Sequence, residues 1–333
     1  MKKNRNLSMM AVVACSILAG ACSGPQNMDE VSPLDHETGL SAKNLASPEK
    51  VRPCFRCSDA PKGTIFCDDF EKKAPLTERY FEYNSRGGSF VRAEGVGVDG
   101  TAGMRAFFAK GQVNAGDFKK SIGRSSDPYL QETSSRPDKT FTDIYWRVDV
   151  RYQDGWIGGG ADKLSRATTL LDGWKQGMIA HVWSGGSPSS YNYLIIDPAS
   201  GIDTDGNVVS TRYNDFDNLR WLGSVRGTTD LFSEENAGEW LCVVAHAKLN
   251  TPGESDGVFE LSINGELQGR KENMNWHGTY NADPDNYGIN AIFFENYWNA
   301  GSPQDQERYF DNVVISTEPI GCDCYDSPRA NPN

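Results

Sequence analysis

Three short stretches of this chain carry residue types that could move protons and hold an anionic ligand. Asp162-Lys163-Leu164-Ser165-Arg166 sets two cations three residues apart. Met178-Ile179-Ala180-His181-Val182-Trp183 contains one of the chain's 4 histidines, two positions before a tryptophan. Phe294-Glu295-Asn296-Tyr297-Trp298-Asn299 sets a carboxylate and two amides among aromatic rings. In extended chain alternate residues share a face, so His181 stands with Trp183, and Glu295 with Tyr297 and Asn299. Imidazole and phenol groups are proton carriers, and a Lys/Arg pair neutralises a carboxylate. An aromatic ring beside a polar row suits the apolar face of a sugar.

Each of these residues also has a packing role open to it. His181 lies in an apolar strand and could be a hydrogen-bonded core histidine. His246 alternates within a strand and reads as packing or surface, whereas His277, in the loop Asn275-Trp276-His277-Gly278-Thr279-Tyr280, could face a cleft. Lys163 and Arg166 could pair with Asp162 or Asp172, and Tyr297 and Trp298 could fill the space between two sheets. Trp146, Trp156 and Gly158-Gly159-Gly160 could form a lip over a cleft or an ordinary loop. No Lys-Ser/Thr follows these glycines, so they do not form a phosphate loop.

Composition narrows the partners. The 333 residues carry 33 Lys+Arg against 45 Asp+Glu, a net charge of −12. Without residues 1–21 the balance is 30 to 45, or −15. Residues 50–183 hold 21 cations and 17 anions, whereas residues 184–333 hold 8 and 23. Nucleic acid is not an expected partner, because duplex binding needs a basic face. A polyanionic sugar could dock only on the first half.

The N-terminus reads as an address. Lys2, Lys3 and Arg5 precede an apolar run over 9–21, too short for a membrane span and built like a signal peptide, 1–21. Leu18-Ala19-Gly20-Ala21-Cys22 resembles the lipobox of bacterial lipoproteins, which would make Cys22 the lipidation site; the alternative is an ordinary signal peptide. Residues 22–53 form a polar, Pro/Ser-containing flexible tether, 54–326 a single domain, and 327–333 a tail. The expected location is that of an exported, membrane-anchored lipoprotein at the outer membrane or cell surface. The membrane is touched only through the lipid, and the protein is expected to be a monomer. Six further cysteines, Cys54, Cys57, Cys67, Cys242, Cys322 and Cys324, allow 15 pairings in an oxidising compartment. They are expected to be structural disulfides tying the first and last strands, because Cys54-x-x-Cys57 lacks a second pair at zinc-finger spacing.

The elements that must position the chemistry are strands. Helical periodicity is nearly absent, and turn residues punctuate the chain every 8–15 residues. Strands are expected over 64–70, 90–96, 104–109, 143–151, 166–171, 177–183, 193–196, 208–213, 240–249, 258–263, 289–297 and 309–316. The run from Gly238 to Glu272 is clearest: an alternating strand from Trp240, a polar loop, a second strand, then Asn264-Gly265, whose positive φ angles suit a type I′ hairpin, and a third strand. With the opening Phe66-Cys67-Asp68-Asp69-Phe70-Glu71 and the closing run from Arg308 to Ser316, this resembles the concanavalin A-like (laminin-G/jelly-roll) superfamily. The resemblance spans about residues 63–322. It implies an all-β fold, an antiparallel two-sheet β-sandwich of the jelly-roll type, and a polysaccharide partner.

The glucanase pattern of that superfamily, E-x-D-x-x-E on one strand, is missing. The run from Lys163 to Trp183 followed by Tyr297-Trp298-Asn299 instead looks like jelly-roll polysaccharide lyases, which cleave uronate-containing glycans by β-elimination. That resemblance assigns carboxylate neutralisation to Arg166 and Lys163, the base to His181 and the acid to Tyr297. Trp183, Glu295, Trp298 and Asn299 would line substrate subsites. Asp69 or Glu71 on the opening strand, with Asp311 on the closing one, resembles the structural Ca²⁺ site of relatives. Asp203-Thr204-Asp205-Gly206 lacks the later Glu of a calcium loop and reads as an Asp-Gly turn. Two other readings stand beside the lyase: a non-catalytic carbohydrate-binding or adhesion lipoprotein, and a structural lipoprotein with no sugar site.

Overall fold

The computed structural model describes residues 55–322. The signal peptide, the tether with Cys22, the tail, Cys54 and Cys324 lie outside the described residues. Among the described residues sixteen strands and one short α-helix, α1 (Pro128–Thr133), follow one another, with single 3-10 turns between some of them. The strands are β1 (Thr64–Asp68), β2 (Glu82–Asn84), β3 (Phe90–Ala93), β4 (Gly103–Phe108), β5 (Asn114–Ser121), β6 (Asp143–Tyr152), β7 (Lys163–Leu170) and β8 (Gln176–Ser184). They continue with β9 (Leu194–Ser200), β10 (Arg220–Trp221), β11 (Val225–Arg226), β12 (Trp240–Lys248), β13 (Gly257–Ile263), β14 (Glu266–Met274), β15 (Ala291–Tyr297) and β16 (Gln306–Ser316).

They form two 8-stranded antiparallel sheets, as the alternating pattern predicts. One runs β14-β13-β12-β6-β16-β4-β3 with β1 beside β16; the other runs β10-β9-β8-β7-β15-β5-β2 with β11 beside β9. The opening and closing strands pair directly, Cys67 opposite Val314. The β13–β14 hairpin turns at Asn264 (φ 51°) and Gly265 (φ 81°), the two positive φ angles a type I′ turn requires.

The layer between the sheets is aromatic. Phe90, Phe118, Phe294 and Phe310 meet there at centroid distances of 5.1 to 6.3 Å. Trp146 reaches across from β6 and donates its indole N–H to Ser165 Oγ on β7 at 3.0 Å, which satisfies the polar edge of a buried ring. Trp156 belongs to this core and forms no lip: it stacks on Trp298 at 5.6 Å.

Three expectations about the elements need correction. The segment 208–213 is loop: Val208 bridges Ile202 beyond the end of β9, Ser210 Oγ accepts from Gln176 N of β8 at 3.1 Å, and Tyr213 reaches Arg166 of β7. β2 and β5 were not expected, because Asn114–Ser121 places Gly116, Lys119 and Lys120 where apolar residues would mark a strand. The disulfides Cys57–Cys67 and Cys242–Cys322 do not join the first strand to the last. Each ties a flanking segment to a strand, the first to β1 and the second to the N-terminal part of β12, while β1 and β16 hold each other by backbone hydrogen bonds. Asp203 accepts from the amides of Asp205 and Asn207 at 3.0 and 2.8 Å, which closes a local turn as read from Asp-Gly.

Candidate functional site

Cross-strand register builds the site. On the outer face of the second sheet, Glu82, Lys119, Phe293, Arg166, His181 and Asp197 stand opposite one another across β2, β5, β15, β7, β8 and β9. The next row contains Asn84, Asp117 and Glu295, and beyond them Lys163 and Trp183. A register shift between Lys163 and Ser165 turns Lys163 to this face while Ser165 points to Trp146 in the core. Tyr297 pairs with Asn114 in the row after that. Neighbours in such rows have Cβ atoms about 5 Å apart, so residues far apart in sequence interact directly.

Lys163, Arg166, Glu295, Tyr297 and Asn299 therefore line one cavity of about 290 Å³. Arg166, 1% exposed, donates to Glu295 Oε1 at 3.1 Å, to Asn214 Oδ1 at 3.4 Å and to the Tyr213 hydroxyl. Burial pulls its pKa down, and Glu295 and Tyr213 more than restore it. Lys163 makes no ion pair with any described residue; its ammonium lies 4.6 Å from the Tyr297 ring centre. Burial, and after it the Arg166 charge, lower its pKa, against the pull of Glu295.

His181 is 3% exposed and stacks against Trp183 at 4.5 Å. Its Nε2 is buried without a hydrogen-bond partner, 3.9 Å from Glu295 Oε2. Burial, then Arg166 and Lys163, hold its pKa well below the usual imidazole range, so the ring is neutral. Beside it on β9, burial raises Asp197 to about 6.

The floor of the site is tied to the opposite sheet by Arg308 of β16, which is 0% exposed. Its Nη2 donates to the carbonyls of Lys163 and Glu295, both at 2.9 Å. Nη1 meets Asp162 Oδ2 at 2.7 Å, and Nε meets Asn296 Oδ1 at 3.1 Å. One guanidinium thus sets the spacing of β7 and β15 where their functional side chains emerge. Neither Lys163 nor Arg166 pairs with Asp162 or Asp172.

Several residues the sequence brought forward lie elsewhere. Trp298 is 0% exposed between Trp156 and Phe108 and lines no subsite, because it sits past the end of β15, where the chain turns into the core. His246 belongs to the other sheet, sandwiched between Glu260 and Asp143, both at 2.7 Å, and stacked on Tyr145. His277 is buried with Nδ1 on Asn281 at 2.7 Å and, pushed down to about 4 mainly by burial, faces no cleft.

Asp69 and Glu71 line a separate depression with Thr101 and Asn312. Asp311 adjoins it, but its Oδ2 accepts from Val98 N at 2.8 Å and Thr101 Oγ1 at 3.2 Å, and its Oδ1 from Asn312 N at 2.7 Å. Glu71 likewise accepts from Ala102 N at 2.8 Å. Burial and the Asp149 charge raise Asp311 to about 8, although the Val98 amide opposes the rise. Among the described residues no three His, Cys, Asp or Glu side chains converge as metal ligands. Asp311 and Glu71 hold the loop around Val98 through the amides of Val98 and Ala102, and Asp69 accepts from Cys57 N at 3.2 Å.

Sequence reasoning missed Asp117 and Lys119, because their strand lacks apolar alternation. It also missed Tyr213, Asn214 and Phe216, because a loop brings them in. The alternation Asp117-x-Lys119 was the signal available for the first pair.

No protein-family model and no curated protein sequence matches the chain. Solved structures do. An endo-β-1,4-glucuronan lyase from the fungus Trichoderma reesei superposes with a TM-score of 0.51 at 12% identity, over 77% of this chain and 96% of that one. An alginate lyase of the PL-14 group from Aplysia kurodai gives 0.50 at 14% identity, over 77% and 99%. At such identities the likeness speaks for architecture: the chain has the jelly-roll β-sandwich fold found in these polysaccharide lyases.

Proposed function

We propose that the protein is a polysaccharide lyase acting by β-elimination on a uronate-containing glycan. The observation that supports it most is an unpaired Lys163 on the cavity wall with, on the adjacent strand, a neutral His181 whose Nε2 has no partner. In this reading the Lys163 ammonium takes the uronate carboxylate and makes the adjacent C5 proton acidic. His181 Nε2 removes that proton. The electron pair forms the C4–C5 double bond, the C4–O bond breaks, and the Tyr297 hydroxyl protonates the departing oxygen. Arg166 has a smaller part than its sequence position suggests: Glu295 already neutralises it, so it holds Glu295 and Tyr213 in place rather than meeting the substrate charge. Trp183 and Asn299 border the bound sugar.

A second reading, glycan binding without turnover, is favoured by one fact: His181 is only 3% exposed. Alginate and glucuronan, incubated with the purified protein, separate the two through the ultraviolet absorbance of the new double bond. The lyase reading expects absorbance to rise, and to fall about a hundredfold or more in rate in His181→Ala and Tyr297→Phe. Retention of the glycan with flat absorbance establishes the binding reading instead.

A further inference from the structure

One loop carries residues into the cleft and another residue out of it. Asp215, 2% exposed, accepts from Thr211 N and Thr211 Oγ1, both at 2.6 Å, and from Asn218 Nδ2 at 3.0 Å. That fastening sends Tyr213 and Asn214 inward to Arg166 and leaves the Phe216 ring 45% exposed at the cavity edge. Trp221, 46% exposed on β10, lies beside it, with ring centres 6.2 Å apart and planes 29° from parallel.

Register places Trp221 on the working face. It stands opposite Ala199 of β9, which stands opposite Ile179 of β8, two residues from His181. Single exposed apolar residues are ordinary. A stacked aromatic pair continuous with a polar cleft is a different object, because it offers two broad apolar faces where a ligand leaves the charged centre. From β7 to β10 is three strand spacings, roughly 14 Å. A single sugar ring does not bridge that distance, whereas a chain of several units does.

We infer that Phe216 and Trp221 form a distal subsite that stacks a pyranose unit of a long glycan whose charged unit sits at Lys163. This inference rests on the glycan reading of the same cleft and adds that the substrate is a polymer held along its length. The carboxylates of successive units stay over Lys163 and Arg86 of the cavity wall, while the C–H faces of one unit cover the aromatic pair.

The test is affinity electrophoresis of the full protein in gels containing alginate or glucuronan, beside Trp221→Ala and Lys163→Ala, with trimer turnover measured in parallel. Trp221→Ala should lose about tenfold in polymer affinity, the equivalent of one stacked aromatic face, with trimer turnover and melting temperature unchanged. Equal retardation of Trp221→Ala and wild type, with Lys163→Ala impaired, overturns the subsite and leaves the cleft reading standing. No retardation of wild type by either polymer overturns the glycan reading itself. Sedimentation showing a wild-type dimer that Trp221→Ala separates would assign the pair to self-association and overturn the subsite too.

Discussion

A proton has opposite consequences at His181 and His246. Burial and two nearby cations depress His181, so its folded form stays neutral while the unfolded chain protonates near pH about 6.5. Its contribution to stability is present above that pH and is lost as the pH falls towards the folded value. His246 is raised: burial pulls it down, and the hydrogen bonds and charges of Asp143 and Glu260 outweigh that. Its contribution is present below about 6.5 and disappears as the pH rises through the folded value. Unfolding followed against pH should therefore lose its acid-side slope in His181→Gln and its neutral-side slope in His246→Gln. A slope unchanged in either variant contradicts the assignment. On the proposed lyase reading the same depression at His181 has a kinetic consequence: a base that is already neutral would keep the rate flat on the acid side of the ordinary imidazole range.

Among elements, the decisive contact crosses between sheets. Arg308 on β16 holds the backbone of both β7 and β15, and its partner Asp162 is raised to about 6 by burial against the pull of that guanidinium. Arg308→Met leaves Asp162 buried without its ion-pair partner, with an expected loss of about 3–5 kcal/mol in unfolding free energy. The double variant Arg308→Met/Asp162→Leu should recover most of that stability, because an apolar pair of similar volume removes both desolvation penalties. It should not recover glycan affinity, since the carbonyls of Lys163 and Glu295 remain unanchored. Denaturant titration with binding on the same samples checks both halves. Recovery of affinity together with stability would show that the tie serves the core alone. The wider lesson concerns β5: its sequence is polar because one face lines the cavity, and even Lys120 on the other face lies over Phe66 at 4.9 Å. A strand that builds a site departs from the alternation by which strands are recognised.

The whole molecule is acidic, yet the cations of the cleft, Arg86, Lys119, Lys163 and Arg166, all come from the more basic first half. A polyanion must therefore approach through a mostly repulsive field to a local attractive one. Polymer affinity is expected to fall as salt rises only to the extent that the cleft field outweighs the remainder, and Lys163→Ala should flatten that dependence. Titration at about 20 and 200 mM salt, on either side of the Debye length that matches the cleft, checks it. The amino-acid sequence alone determined the sandwich, because alternation, Gly-rich turns and the Asn264-Gly265 hairpin are local signals that survive without tertiary contacts. It also brought forward Lys163, Arg166, His181, Glu295 and Tyr297; spacing alone puts Glu295 and Tyr297 on one face, whereas Lys163 and Arg166, three residues apart, share a face only through the register shift between Lys163 and Ser165. Only the tertiary structure decided which strands stand side by side. That choice paired Arg166 with Glu295, left Lys163 unpaired, sent Trp298 into the core and brought Tyr213 and Phe216 to the cleft. Local sequence specifies the face of each strand, whereas strand order is set by how the two sheets bury their aromatic sides against each other.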